Sequence, residues 1–219
     1  CPGPLTFILK LKKDSKISKF VTNKKKTLAV RFPSHPKAKG LLKILNYPLA
    51  APSANISSRV SPVTKNHVKE EFGKKIKYII EGGLSKIGLE STIINLTGRP
   101  EILRIGSIDI NKLSKALKKK LLYRKKTYMK VPGQNRLHYS PGIPLRMNCK
   151  EASLDEAFIL VKKRNNSNKN FFYLSKNKNL KEAAKNLYSV LRIIKKKGYK
   201  KIAVEKIENK GIGLAINDR

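Results

Sequence analysis

The sequence predicts an α/β protein that ends in a smaller parallel β-α-β unit. Three observations carry that expectation. Strand-like and helix-like segments alternate along the chain. Residues 157–207 read strand, strand, long helix, strand, as a parallel crossover unit requires. Apolar residues make up 40% of the 219 positions, enough to bury a core in one large domain, or in one domain with a small second one.

In chain order, "LTFILKL" (5–11) and "TLAVRFP" (27–33) read as strands. "HPKAKGLLKIL" (35–45) reads as a short helix with Pro36 in its first turn. "SPVTKNHVKEEFG" (61–73) reads as a helix with Ser61 as N-cap, Pro62 at the first position and Gly73 beyond the end. "KYII" (77–80), "STIINL" (91–96) and "EILRI" (101–105) read as strands, the last two joined by the turn "TGRP" (97–100). "DINKLSKALKKKLL" (109–122) is an amphipathic helix capped by Asp109. Residues 123–145 show no period and read as a linker. Beyond it, "AFILV" (157–161), "FFYLS" (171–175) and "KIAVEKI" (201–207) are strands, and 179–198 is a helix closed by Gly198.

The formal charge is +36, from 50 basic against 14 acidic residues, which suits a nucleic-acid partner. Lys outnumbers Arg 40 to 10 and stands in solvated runs such as "NKKK" (23–26), while arginine interleaved with aromatics is sparse. Two readings of the charge stay open: coding bias with solvated faces, or a dedicated RNA-binding groove. No apolar run is long enough for a membrane span and no signal peptide is visible. Cys1 and Cys149 have no metal or redox spacing and read as free thiols in a reducing cytoplasm. The chain opens with a turn signal running straight into a strand, so we expect it to lack an N-terminal portion.

"LAAPSANISSRVSP" (49–62) stands out: hydroxyl-rich, free of Lys, with Arg59 its one charge. In an extended segment Ser53 and Asn55 share a face, and small neighbours admit a ligand to the backbone. A helix opened by Ser61-Pro62 would add an anion-favouring terminus. Arg31 and Arg104 each end a strand, where a guanidinium fork suits carboxylate or phosphate. Glu90, Ser91 and Thr92 begin a strand after a glycine-containing loop.

"PGPLT" (2–6), "LAVRFPSHP" (28–36), "APSAN" (51–55) with "SP" (61–62), "GLEST" (88–92), "LRIG" (103–106) and "RLHYSPGIPL" (136–145) occur in that order. Together they resemble the YrdC/Sua5 family of threonylcarbamoyl-AMP synthases. The similarity covers nearly the whole chain, and "GIGLAINDR" (211–219) resembles the last helix of the Sua5-type C-terminal domain. The resemblance implies a YrdC-like synthase domain, a twisted mixed sheet with helices that is incomplete at its N-terminus, at 1–122, a linker or lid at 123–145, and a small Rossmann-like α/β C-terminal domain at 146–219. It implies synthesis of threonylcarbamoyl-AMP and pyrophosphate from L-threonine, bicarbonate and ATP, with Mg²⁺ on the phosphates. The product would pass to a tRNA threonylcarbamoyl transferase that modifies adenosine 37, in the cytoplasm.

The resemblance also implies roles. Thr27, Ser53, Asn55, Ser61 and Arg104 fall at ATP, with His138 and Tyr139 folding over the nucleotide. Arg31, Ala51 and Ser91 fall at threonine, Arg31 clamping its carboxylate. No residue stands out as catalytic acid or base, and none as a metal ligand. The family's Lys-x-Arg segment, which binds ATP phosphates, has no match here, so activity is expected of a longer parent. A basic RNA-binding module without catalysis is the rival reading. A YrdC-like carbamoyl-transfer protein of hydrogenase maturation is disfavoured, because the zinc-type Cys clusters are missing.

Overall fold

Local sequence sets the elements of this computed structural model, which describes residues 1–123, 131, 139–166 and 168–219. They run β1 (Leu5–Lys10), α1 (Lys19–Thr22), β2 (Thr27–Arg31), α2 (Pro36–Ile44), α3 (Lys65–Phe72), β3 (Thr92–Asn95), β4 (Glu101–Arg104) and α4 (Ile110–Ala116). Then come β5 (Leu122–Tyr123), β6 (Leu145–Cys149), β7 (Ala157–Lys162), β8 (Phe171–Ser175), α5 (Leu180–Lys196), β9 (Ile202–Glu205) and α6 (Ile212–Asn217). The chain divides into two compact units, one of residues 1–52 with 90–134, the other of residues 53–89 with 135–219.

The first unit holds a five-stranded sheet in the order β2-β1-β3-β4-β5. It is mixed, as expected: β1 runs antiparallel to β2 and parallel to β3, and β3 runs antiparallel to β4. Ile8, Ile93 and Leu103 meet in its core, with Val131 packed against them. Burying each such aliphatic side chain contributes about 1.5–3 kcal/mol.

The second unit holds a parallel four-stranded sheet, β6-β9-β7-β8. Ala157–Val161 is buried throughout, because a parallel strand covered on both faces has no wet side. Asn179 caps α5 by accepting from Lys181 N at 2.9 Å and Glu182 N at 3.2 Å. Ala183, Leu187, Leu191 and Ile194 of α5 recur at helical spacing and are all buried. Gly88 has φ +78, and a Cβ there would lie 2.5 Å from both the Ala184 carbonyl oxygen and Lys185 Cα, so a bare backbone is needed against α5.

Several expectations are corrected. Ser61 is not the cap of α3. Thr64 is: its backbone is extended and its hydroxyl accepts from His67 N at 3.2 Å. Residues 61–63 stay out of the helix, because Val63 donates to His67 Nδ1 and its carbonyl accepts from Ser85 N at 2.9 Å. Residues 77–80 form no strand, since no described strand pairs with them, and Tyr78 and Ile80 are exposed. The helix capped by Asp109 ends at Ala116, with Lys118 at φ 50, and Leu122–Tyr123 pairs with β4 instead. Ala54 and Asn55 sit in a bend rather than an extended segment. The short α1, β5 and β6 were not foreseen. Most of the expected lid, including Arg136 and His138, lies outside the described residues.

Candidate functional site

Strand register builds the first cluster. Arg31 is opposite Thr6, Thr6 is opposite Ile93, and Ile93 is opposite Arg104. Residues in register share a sheet face, so Arg31, Thr6 and Arg104 form one row across four strands. Ser91, two residues before Ile93, joins that row. Thr6 Oγ1 and Ser91 Oγ share a hydrogen bond of 2.7 Å. Arg104 Nε donates to the Ser91 carbonyl at 3.0 Å and its Nη2 to Ser91 Oγ at 3.1 Å. Ser91 and Arg104 are buried.

At the open end of the row, Arg31 Nε donates to the Gly3 carbonyl at 3.2 Å. Arg31 is in no ion pair among the described residues. Packing, and then the charge of Arg104, push its guanidinium below the usual arginine value. Two cations that repel each other across a hydroxyl pair favour an anionic ligand. The row rests on Gly106. A Cβ there would sit 2.7 Å from the Glu90 carbonyl oxygen and 2.8 Å from the Ser91 carbonyl carbon, and would also clash with Thr92 N.

The second cluster is the 53–61 segment. Asn55 Nδ2 donates to the Ile56 carbonyl at 2.8 Å and the Arg59 carbonyl at 3.0 Å, so its amide holds a turn. Its Oδ1 is enclosed and has no partner among the described residues. Ser53 is exposed and Ser61 buried. Beneath the segment, Glu71 accepts from Arg192 Nη2 at 2.9 Å, Arg59 Nη1 at 3.5 Å and Ile56 N at 3.4 Å. Burial, and then the charge of Arg192, push the neighbouring His67 imidazole below its usual value.

The expected residues divide between the units. Thr27, Arg31, Ala51, Ser91 and Arg104 belong to the first; Ser53, Asn55, Ser61 and Tyr139 to the second. Within the first, Arg31, Ser91 and Arg104 are in one row. Arg104, expected at the nucleotide, touches Ser91, expected at threonine. Thr27 lies at the other end of β2, opposite Lys10, and Ala51 is in an exposed loop. Tyr139 is 3% exposed, stacked on Tyr188 at 5.8 Å with the Arg219 guanidinium 5.1 Å from its ring centre. His138 lies outside the described residues. Sequence reasoning missed Thr6, although its cross-strand place opposite Arg31 follows once "PGPLT" and "TLAVR" pair. It also missed Glu71 and Arg192, for which no local pattern exists.

Among the described residues no helix is long and apolar enough to cross a membrane, and no three His, Cys, Asp or Glu gather into a metal site.

Two family models match the chain: one described as "Telomere recombination" over residues 1–106, the other as "Threonylcarbamoyl-AMP synthase, C-terminal domain" over residues 105–219. The chain is 33% identical to a threonylcarbamoyl-AMP synthase of Pyrococcus abyssi, over 100% of its own length and 69% of the relative's. It is also 33% identical to one of Schizosaccharomyces pombe, over 100% of its own length and 62% of the relative's. A crystal structure of P. abyssi Sua5 complexed with L-threonine superposes with a TM-score of 0.87 at 31% identity, covering 99% of this chain and 69% of that one. The chain thus spans roughly two thirds of these relatives.

Proposed function

Because the chain belongs to the Sua5-type threonylcarbamoyl-AMP synthase family, we propose that it makes threonylcarbamoyl-AMP and pyrophosphate from L-threonine, bicarbonate and ATP. The observation that carries this reading is the row Arg31, Thr6, Ser91 and Arg104. An α-amino acid with a side-chain hydroxyl matches it in kind. The Arg31 fork takes the carboxylate, and the Thr6–Ser91 pair takes the hydroxyl or the amine. The P. abyssi protein with L-threonine bound supports this assignment. Ala51 lines the same pocket.

For ATP the proposed contacts are Ser53, Asn55 and Ser61 in the second unit and Thr27 and Arg104 in the first. His138 and Tyr139 belong to the segment that covers it. Synthase domain, lid and C-terminal domain occupy 1–122, 123–145 and 146–219 in this proposal.

The chemistry follows from positioning. The threonine amine and bicarbonate condense to a carbamate with loss of water. A carbamate oxygen then attacks the α-phosphorus of ATP, and the bond to the β-phosphate oxygen breaks to release pyrophosphate. Mg²⁺ enters with the triphosphate as part of the substrate and neutralises its charge. Arg31 fixes the amino acid so that the carbamate faces phosphorus. The product supplies a tRNA threonylcarbamoyl transferase in the cytoplasm, and the +36 charge supports an added, salt-sensitive contact with RNA.

The test is pyrophosphate release from ATP, with L-threonine and bicarbonate each omitted in turn, beside equilibrium binding of each substrate. Release that needs all three establishes the reading. Salt-sensitive RNA binding with neither ATP nor threonine bound establishes the RNA module instead.

A further inference from the structure

We propose that Glu71 and Arg192 are positioning residues for the nucleotide segment: they clamp the 55–60 turn from beneath and so set the pose of Asn55. The clamp has two arms. Arg192 Nη2 reaches both the Val60 carbonyl, at 2.5 Å, and Glu71 Oε1, at 2.9 Å. Glu71 Oε2 in turn takes Ile56 N at 3.4 Å and Arg59 Nη1 at 3.5 Å. The carbonyls of Ile56 and Arg59 are the two that hold the Asn55 amide. The contacts therefore run without a gap from α5 through Glu71 and the 56–60 backbone to Asn55.

The two charged side chains of the clamp are mostly enclosed. The Glu71 side chain is 6% exposed and that of Arg192 14%. A charge pair so enclosed, with further hydrogen bonds on both members, is geometrically specific, and removing one partner strands the other. Asn55 has spent both amide protons on the turn, so the direction of its Oδ1 is set by the turn and not by its own rotamer. Loosening the clamp would release that direction.

This inference rests on the nucleotide reading of the 53–61 segment. The test measures three things on the full chain: amide hydrogen exchange at residues 56–60, affinity for ATP, and affinity for L-threonine. Arg192→Ala should speed exchange at Ile56 and Arg59 by about tenfold or more, with β7 and β9 unchanged. It should weaken ATP binding by about tenfold and leave threonine binding within about twofold. Arg192→Lys keeps a charged donor able to serve both acceptors, but on a shorter side chain without the planar guanidinium, and should recover part of the loss. If Arg192→Ala fails to fold, Glu71→Gln keeps the shape and removes the charge. It should give the same split between ATP and threonine. Faster exchange with unchanged ATP affinity makes the pair structural and overturns the proposal, as does unchanged exchange. A wild-type chain that binds no ATP overturns the nucleotide reading itself, and the clamp's role with it.

Discussion

Arg104 grips Ser91 twice, by its backbone carbonyl and by its hydroxyl, and the same hydroxyl is shared with Thr6. Ser91 is thus the hinge-pin of the polar row. Ser91→Ala removes both hydroxyl contacts while Arg104 keeps the carbonyl. The threonine KM should rise about tenfold, in line with losing one or two buried hydrogen bonds, while the ATP KM moves less than twofold. Steady-state kinetics with each substrate varied decides it. Equal shifts in both would remove Ser91 from the amino-acid pocket.

Arg31→Lys keeps the charge at the open end of the row and loses the fork. A point charge cannot both hold the Gly3 carbonyl and grip a carboxylate in two places. The threonine KM should rise more than the ATP KM. A larger effect on ATP would move Arg31 to the phosphates.

Ser53→Ala and Asn55→Ala should each slow pyrophosphate release by about 10²-fold. They differ in stability. Ser53 is exposed, so its loss should leave the melting temperature alone, whereas Asn55→Ala breaks two turn hydrogen bonds and should lower it. Calorimetry beside the rate assay separates the two. Wild-type rates in both variants would move the nucleotide elsewhere.

Gly106→Ala should destabilise the first unit, because the added methyl meets backbone at Glu90, Ser91 and Thr92 and not a flexible side-chain tip. An expected loss of about 1–3 kcal/mol is readable by denaturant titration. A neutral result would mean that β3 shifts freely.

Glu156 is held at about 2, chiefly by the Arg146 guanidinium hydrogen-bonded to it and then by the Ser153 amide. Its folded value lies below its ordinary 4.5. The contribution is therefore fully present above the ordinary value and is lost as pH falls from there towards 2. Glu156→Gln should flatten the melting temperature against pH in that window. An unchanged slope would assign the acid sensitivity to other carboxylates.

Much of this was readable in the sequence, and the reason differs by element. Ala157–Val161 is a continuous apolar run because a parallel strand is covered on both faces, and α5 carries its own cap, stripe and closing glycine. Residues 77–80 carry the composition of a strand, but pairing is decided by neighbours and not by the segment. At the start of α3 two hydroxyl residues competed for one cap, and the hydrogen bond between Val63 and His67 settles it for Thr64. Arg31, Ser91 and Arg104 were visible as polar groups at strand ends. Their row needed the register, and Glu71 with Arg192, 121 residues apart, leaves no local trace at all.

The turn that carries Asn55 is completed by a residue made much later. Val60 is translated 132 residues before Arg192. At about 5–20 residues per second the ribosome needs on the order of ten seconds to close that interval. Until then Glu71 lacks its Arg192 partner. The nascent protein can assemble its first sheet early, but the 53–61 turn matures only after α5 has emerged. Long-range closure of this kind is slow relative to local structure, so the 53–61 turn is completed late in biogenesis and is a stretch on which a chaperone would have long to act.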